Sequence, residues 1–386
     1  MAAYVFNDLK NKYENFSSPI AVIKVNGKEF SKNKANLVLS DIEVDLSCGF
    51  EASVASFSIY NSFDKISSKF RFEDIKAYIF LGSSVEISLG YGTEAVEVFV
   101  GFISKVNFVH NRDIPYVQVT AMDVKGIMMA NNYAKQLVAD NFGDAVSEIF
   151  QKSAYVGLQN KSIIRAIQIT PTPDKGKKAA NRETDRTIEM VCESDYEFVV
   201  KAAKKYNYEF FTDCGYVLFR KAKANKEVLM DIGASNCLRA FDVEYDITGL
   251  VETIQARSLD VGKAKLIQAK KKFSNKISKG NKARPFIKKS EMVYIDPTIS
   301  SQEEAGYRVD SLMEEMSYRF GTLDGECIGM PELKPGRFIN LMELGEAVEN
   351  QFYLVNVRHV INDAEGFKTK ICGKAASIEA ASKLGI

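Results

Sequence analysis

Apolar and polar positions alternate with a period of two through most of the first third of the chain. The alternation runs over residues 19–25, 50–59, 85–89, 96–109 and 116–121. Successive side chains on a strand point to opposite faces, so each stretch predicts a strand with one face buried. The first stretch runs into Asn26-Gly27, a hairpin signal, because both central positions of a tight two-residue turn need positive φ. Residues 67–80 are ambiguous and allow a short helix.

The period then changes. From 142 to 150, apolar residues recur at i, i+3, i+4 and i+7, the spacing of an amphipathic helix. Residues 194–206 predict a clearer one, with Ser194 as N-cap and Glu197 placed to complete a capping box. Residues 208–211 and 216–219 read as two short strands around Asp213-Cys214-Gly215. Helix plus hairpin predicts the core of a small α+β domain.

Residues 238–256 return to a strand pattern. Residues 262–290 then carry eleven Lys or Arg and no acid, including Lys270-Lys271-Lys272 and Lys288-Lys289. One-signed charge at low hydrophobicity predicts a long solvated loop or a partly ordered insertion. Residues 301–320 predict a helix whose apolar stripe is Ala305, Val309, Leu312, Met313 and Met316, and residues 335–372 return to strands.

Composition removes several classes. A chain of 386 residues has the length of about two to four domains. Apolar residues at 46% and charged residues at 26% are ordinary globular values. The balance of 51 basic against 50 acidic residues argues against a whole-chain nucleic-acid binder. The first residues carry charges and lack the apolar core of a signal peptide, and no run has the length of a membrane span. A soluble product of the cytoplasm is the expectation. Cys48, Cys192, Cys214, Cys237, Cys327 and Cys372 are scattered without zinc spacing. They are expected to be reduced, buried, small apolar residues rather than a disulfide framework.

An internal echo links the two ends of the chain. Gly82, Val85, Ile87 and Leu89 match the spacing of Gly336, Ile339 and Leu341, and an aromatic opens another strand at Phe99 and at Phe352. Each copy then passes a polar turn, from His110 or from Asn362, into a final strand at residues 116–121 or 367–372. If the echo is a duplication, Gly82 pairs with Gly336, Phe102 with Val355, and Val119 falls near Lys370; otherwise the two regions are unrelated antiparallel barrels.

The same residues resemble a known family. Residues 329–341, with Gly329, Pro331, Leu333, Pro335 and Gly336, followed by Tyr353, Val355, His359 and Gly366-Phe367-Lys368-Thr369, look like the closing segment of phage late-control gene D proteins. One spacing, at Asn356-Val357, is shorter than the family's. Residues 193–211 resemble the Glu-Ser-Asp segment shared with type VI secretion spike proteins, beginning at Glu193-Ser194-Asp195, and Gly101-Phe102-Ile103 matches their first-barrel strand. The resemblance covers roughly residues 20–375.

It implies an α+β, mainly β fold: two similar antiparallel, tail-tube-like β-barrels with a small α+β domain between them and helical or loop insertions. The expected boundaries are 1–130 for the first barrel, 131–235 for the α+β domain, and 236–260 plus 330–375 for the second barrel. Residues 261–329 hold the basic insertion and helix, and 376–386 a tail. The implied role, like that of the T-even phage central hub, is a homotrimeric baseplate hub of a contractile injection system, in a phage tail, tailocin or extracellular particle. Two barrels in each of three chains would offer six quasi-equivalent positions to a sixfold tube while keeping threefold symmetry toward the spike. Implied partners are a tail tube or tube-initiator protein and baseplate wedge proteins. Type VI proteins continue into a further barrel and a needle, whereas this chain stops at Ile386, so the spike is expected as a separate protein.

Candidate chemistry is sparse. His359 lies beside Arg358 without a nucleophile or carboxylate pair near it in sequence, and His110 sits at a strand end. Both are expected to be structural. Asp41, Glu43 and Asp45 alternate with Ile42, Val44 and Leu46, which places three carboxylates on one strand face. A solvated face or an interface with a basic neighbour is favoured there over a cation site. Glu314-Glu315 falls on the polar face of a helix, and residues 321–325 lack the Gly-Lys-Ser/Thr of a phosphate loop. The sequence therefore names no catalytic, cofactor-binding or metal-binding residue, and no cofactor. The basic segment is read as a protein contact or plain solubility, without stable nucleic-acid or membrane binding. A cell-wall-degrading tail enzyme, an endopeptidase or muramidase, is the alternative and would need a paired-acid or Cys-His constellation. A sugar-binding tail module is disfavoured by the absence of tryptophan.

Overall fold

Twelve strands carry the architecture, six before the α+β region and six after it. The first six are β1 (Pro19–Val25), β2 (Val38–Ser47), β3 (Val54–Tyr60), β4 (Ser84–Tyr91), β5 (Glu94–Val109) and β6 (Tyr116–Met122). The second six are β7 (Val228–Gly233), β8 (Leu238–Tyr245), β9 (Gly321–Ile328), β10 (Phe338–Met342), β11 (Asn350–Asn362) and β12 (Gly366–Ala375). The computed structural model describes residues 4–30, 36–110, 114–173, 188–260, 264–278, 282–345 and 348–378. The turn after His110, parts of the basic segment and most of the tail expected at 376–386 lie outside the described residues.

All twelve strands belong to one 13-stranded sheet, completed by the short strand Lys28–Glu29. Its order is β8-β9-β12-β11-β2-β3-β6-β5-β4-β1, with β10 beside β11 and β7 beside β10. The hairpin expected at Asn26-Gly27 is present, with φ of 49° and 74° and Val25 paired to Lys28. The inward faces of both halves form one hydrophobic cluster, including Val44, Val85, Ile87, Val119, Leu341, Phe352 and Leu354. Each such side chain contributes about 1.5–3 kcal/mol on burial, so this shared cluster is the main stabilising element.

The halves repeat one pairing pattern. In each, the strands lie in the order second, third, sixth, fifth, fourth, first. The Gly82 amide donates to the Ile103 carbonyl at 2.8 Å, and the Gly336 amide donates to that of Leu354 at 2.9 Å. Both glycines have positive φ, 76° and 80°. Ser84 pairs with Phe102 as Phe338 pairs with Tyr353. A register shift follows Ile103 in β5 and Leu354 in β11, and Val106 then pairs with Val119 as Val357 pairs with Ile371. The expected match of Gly82 with Gly336 stands. Phe102 corresponds to Tyr353 rather than to Val355, and Val119 to Ile371, one residue from Lys370. Counting from the glycines misplaced the strands because Gly82 and Ile103 are 21 residues apart, whereas Gly336 and Leu354 are 18 apart. One difference is large: β1 runs antiparallel to β4, whereas β7 runs parallel to β10.

Helix α1 (Phe6–Lys12) leads to the fully buried Tyr13, whose hydroxyl donates to Glu332 at 2.5 Å. Between the halves, α2 (Phe142–Phe150) and α3 (Asp195–Tyr206) pack on the hairpin Tyr208–Asp213 and Tyr216–Lys221. The Ser194–Glu197 capping box is formed, and Asn207 ends α3 in the left-handed region with φ 58°.

The basic segment is more structured than its charge suggests. Lys265–Lys272 pairs antiparallel with Thr253–Asp260, which pairs parallel with Glu291–Ile295. Helix α4 (Gln302–Ser317), N-capped by Ser301, covers this three-stranded sheet with the five stripe residues expected of it. Ile267, Phe273, Ile277 and Ile287 are buried there. Of the two expectations, a solvated loop or a partly ordered insertion, the loop is corrected: Ile267 inside the strand and Phe273, Ile277 and Ile287 beyond it are buried in the cluster that the helix covers. The boundaries of the second half also shift. Val228–Gly233 and Gly321–Ile328 join the large sheet, whereas Thr253–Asp260 leaves it for the inserted unit.

Candidate functional site

The feature that organises this molecule is the seam where the two halves meet. Strand β11 is long enough to take β10 along its first part and β2 along its second. Across the seam Asn356 pairs with Ser47, Val357 with Leu46, Arg358 with Asp45, His359 with Val44, Val360 with Glu43, and Ile361 with Ile42. Alternation sends Ile42, Val44, Leu46, Val357 and His359 inward, where all are buried. Glu43, Asp45, Asn356 and Arg358 face outward.

Outward polar groups satisfy each other. Arg358 forms an ion pair with Glu43 and approaches Asp45 at 3.8 Å. Asn356 Nδ2 donates to Asp45 Oδ1 at 2.6 Å. Asp41 accepts from the Tyr60 hydroxyl at 2.9 Å. Two of the three alternating carboxylates, Glu43 and Asp45, therefore meet a basic neighbour, Arg358 of the same chain, whereas Asp41 does not. Sequence reasoning missed Arg358 as their partner because nothing local joins residues more than 300 positions apart.

His359 is fully buried, with Nδ1 at 2.9 Å from Thr369 Oγ1. Desolvation pushes its pKa down to about 4, so the ring is neutral near pH 7. The ring lies against Phe367, with centroids 6.1 Å apart. The His110 ring lies tilted against Phe63, with ring centroids 4.9 Å apart. Glu314 accepts from Asn207 at 2.6 Å and Glu315 pairs with Arg319 at 2.9 Å. Residues 321–325 lie inside β9, where no loop exists to cradle a phosphate. Lys270 and Lys271 pair with Glu291 and Asp310 at 2.7 and 2.6 Å. All six cysteines are free: Cys48, Cys237 and Cys327 are buried, Cys214 and Cys372 half-buried, and Cys192 is exposed, against the expectation of burial for all. Among the described residues no group of three His, Cys, Asp or Glu could hold a metal ion.

Two buried polar clusters fasten the α+β region to both halves. Lys125 Nζ donates to the carbonyls of Gly49 and Glu51 at 3.1 and 2.7 Å, holding the loop between β2 and β3. Asp123 accepts from the Ser53 amide at 3.0 Å and from Thr212 Oγ1 at 2.7 Å. On the other side Glu209 accepts from Arg220 Nε at 2.6 Å and from the Tyr353 hydroxyl at 2.5 Å.

Comparison with known proteins bears on this framework. The family model described as the Alg8 N-terminal domain matches residues 20–363. The chain belongs to that family. The match runs from β1 through the end of β11, so it takes in the first half, the seam and the second half except β12. No curated protein matches the sequence. Solved structures share the fold at low identity. A tail protein from Neisseria meningitidis MC58 is 12% identical with a TM-score of 0.66, covering 94% of this chain and 98% of that one. The 43 kDa tail protein of prophage MuSo2 from Shewanella oneidensis is 12% identical with a TM-score of 0.65, covering 92% and 98%. An E. coli component of the type VI secretion system, described as structurally similar to the T4 bacteriophage tail proteins gp27 and gp5, is 10% identical with a TM-score of 0.56, covering 92% and 80%. The mainly β fold is that of phage tail proteins, the broad class the sequence motifs suggested.

Proposed function

We propose that this chain is a structural baseplate hub of a contractile injection system, a homotrimer that adapts a sixfold tail tube to a threefold spike. The observation that carries the reading is the repeated pairing pattern: two sets of six strands within one sheet share one strand order and a register shift after Ile103 and after Leu354, while their first strands run in opposite senses. A duplicated unit in a trimer presents six similar positions while keeping threefold symmetry, which matches the unequal orders of tube and spike. Its partners are then a tube or tube-initiator protein, a separate spike protein and baseplate wedge proteins. It assembles in the bacterial cytoplasm and stays in the baseplate of the finished particle. No described helix is long and apolar enough to cross a membrane.

The burial of His359 speaks against an enzyme that would use it as a base. Light scattering of the purified chain, alone and with its spike, tests the trimer; a chain that remains monomeric in both samples overturns it. A peptidoglycan zymogram tests the enzymatic alternative, and a cleared band would replace the structural reading.

A further inference from the structure

Among the described residues, the repeat leaves two strand edges without a pairing strand. In the second half, the outer part of β11 is covered by β2. Its counterpart in the first half is Lys105–Val109 at the end of β5, which among the described pairings has β6 on one side and nothing on the other. In the first half, β2 covers β11; its counterpart β8 pairs with β9 and otherwise ends the sheet. The chain thus contains one completed seam and the two separated halves of a second.

Burial shows what the second seam lacks. His359 and Ile42 are 0% and 4% exposed inside the completed seam. Register equivalence maps His359 onto Phe108 and Ile42 onto Phe241, and these are 45% and 42% exposed. Both inward-facing aromatics stay nearly half in water where no described strand covers them, although Phe108 meets the Phe70 ring with centroids 5.1 Å apart. The charges match as well. Asn356 and Asp45, bonded at 2.6 Å across the completed seam, correspond to Lys105 on β5 and Glu244 on β8. Asp242 and Glu244 repeat the alternating acids Glu43 and Asp45 on the outward face. Exposed edges carrying apolar side chains invite another strand, and a matched one converts that liability into an interface.

We infer that β8 of one copy pairs antiparallel with the outer part of β5 in the next copy, in the register of the completed seam. Val106 then lies opposite Tyr245, Asn107 opposite Glu244, Phe108 opposite Val243, and Val109 opposite Asp242. The occupant of each edge is a second copy of this chain. The contact is head-to-tail, and in the trimer proposed above it closes into a ring in which seams within and between chains alternate. The inference rests on the trimeric reading above for its copy number, whereas the register comes from the repeat itself.

Disulfide trapping tests it on the full chain, with Cys192→Ser removing the exposed native thiol. Directly opposed strand residues have Cα atoms within disulfide range, so Asn107→Cys with Glu244→Cys should yield a three-chain band under mild oxidation. The shifted pair, Asn107→Cys with Asp242→Cys, should stay monomeric on the same gel. Reversing Lys105→Glu alone should reduce self-association, and adding Glu244→Lys should restore it. A trimer in solution with no cross-link from the matched pair, or equal cross-linking from the shifted pair, overturns the register and leaves the trimer standing. A chain that is monomeric under every condition overturns both.

Discussion

Arg358 on β11 lies directly across the seam from Asp45 on β2, and its guanidinium also pairs with Glu43. These residues join segments from opposite ends of the chain and fix the outward face of the seam. Arg358 is half-exposed, so each ion pair is worth about 0–1 kcal/mol. Arg358→Glu would set three carboxylates together and should lower the unfolding free energy by about 1 kcal/mol, less in high salt. Adding Glu43→Arg should recover most of the loss. Thermal melts at two salt concentrations check this; equal melting temperatures for all three proteins would contradict it.

Lys125 is a stronger anchor because it is buried. Its ammonium satisfies two carbonyls in the loop between β2 and β3, and desolvation lowers its pKa from the usual lysine range. Lys125→Met keeps much of the side-chain volume but strands both carbonyls. At about 1–3 kcal/mol per stranded group, the variant should lose about 2–6 kcal/mol in urea unfolding. A loss below about 1 kcal/mol would show that the loop is held elsewhere.

His359 should make stability depend on pH. Its folded pKa is about 4 against an ordinary 6.5. Between those values the unfolded chain binds a proton that the folded chain does not. The stabilisation is therefore complete above about pH 6.5 and falls as the pH drops toward 4. From pH 7 to pH 5 the loss from this one group is about 2 kcal/mol. His359→Gln should show a smaller fall than the native protein over the same interval, measured by urea midpoints. Identical slopes would mean that the ring does not titrate on unfolding.

How far the sequence carries is visible at single residues. The capping box at Ser194, the turn at Asn26-Gly27 and the stripe on α4 were legible because each is decided by neighbours within a turn or two of chain. The seam was legible only in part. Alternation put Glu43 and Asp45 on one face, but their partner lies more than 300 residues away, and no local pattern encodes that distance. The register of the echo was off by two at Phe102 because the segments between equivalent glycines and strands differ in length. The basic segment misled for another reason: its charges are real, but Ile267, Phe273, Ile277 and Ile287 decide its fold.

That correction changes what proteolysis should show. A solvated loop at residues 262–290 would be cut in the free protein and protected only on assembly. A strand paired through Lys265–Lys272 and anchored by buried isoleucines should already resist cleavage in the free chain at residues 265–278. Reversing Lys270, Lys271 and Lys272 to glutamate breaks the pairs with Glu291 and Asp310, at a cost of about 1–2 kcal/mol. The variant should remain folded. Rapid cleavage within 265–278 of the native chain, mapped by mass spectrometry, would contradict the packed arrangement.

The central claim is that two matched halves in each of three chains make six similar positions beneath a tube. A three-dimensional reconstruction of the assembled particle, refined without imposed symmetry, measures this most directly. The account predicts three copies of the chain, with the two halves alternating at one radius around the axis. A ring of six copies, a single copy, or halves placed at clearly different radii would contradict it.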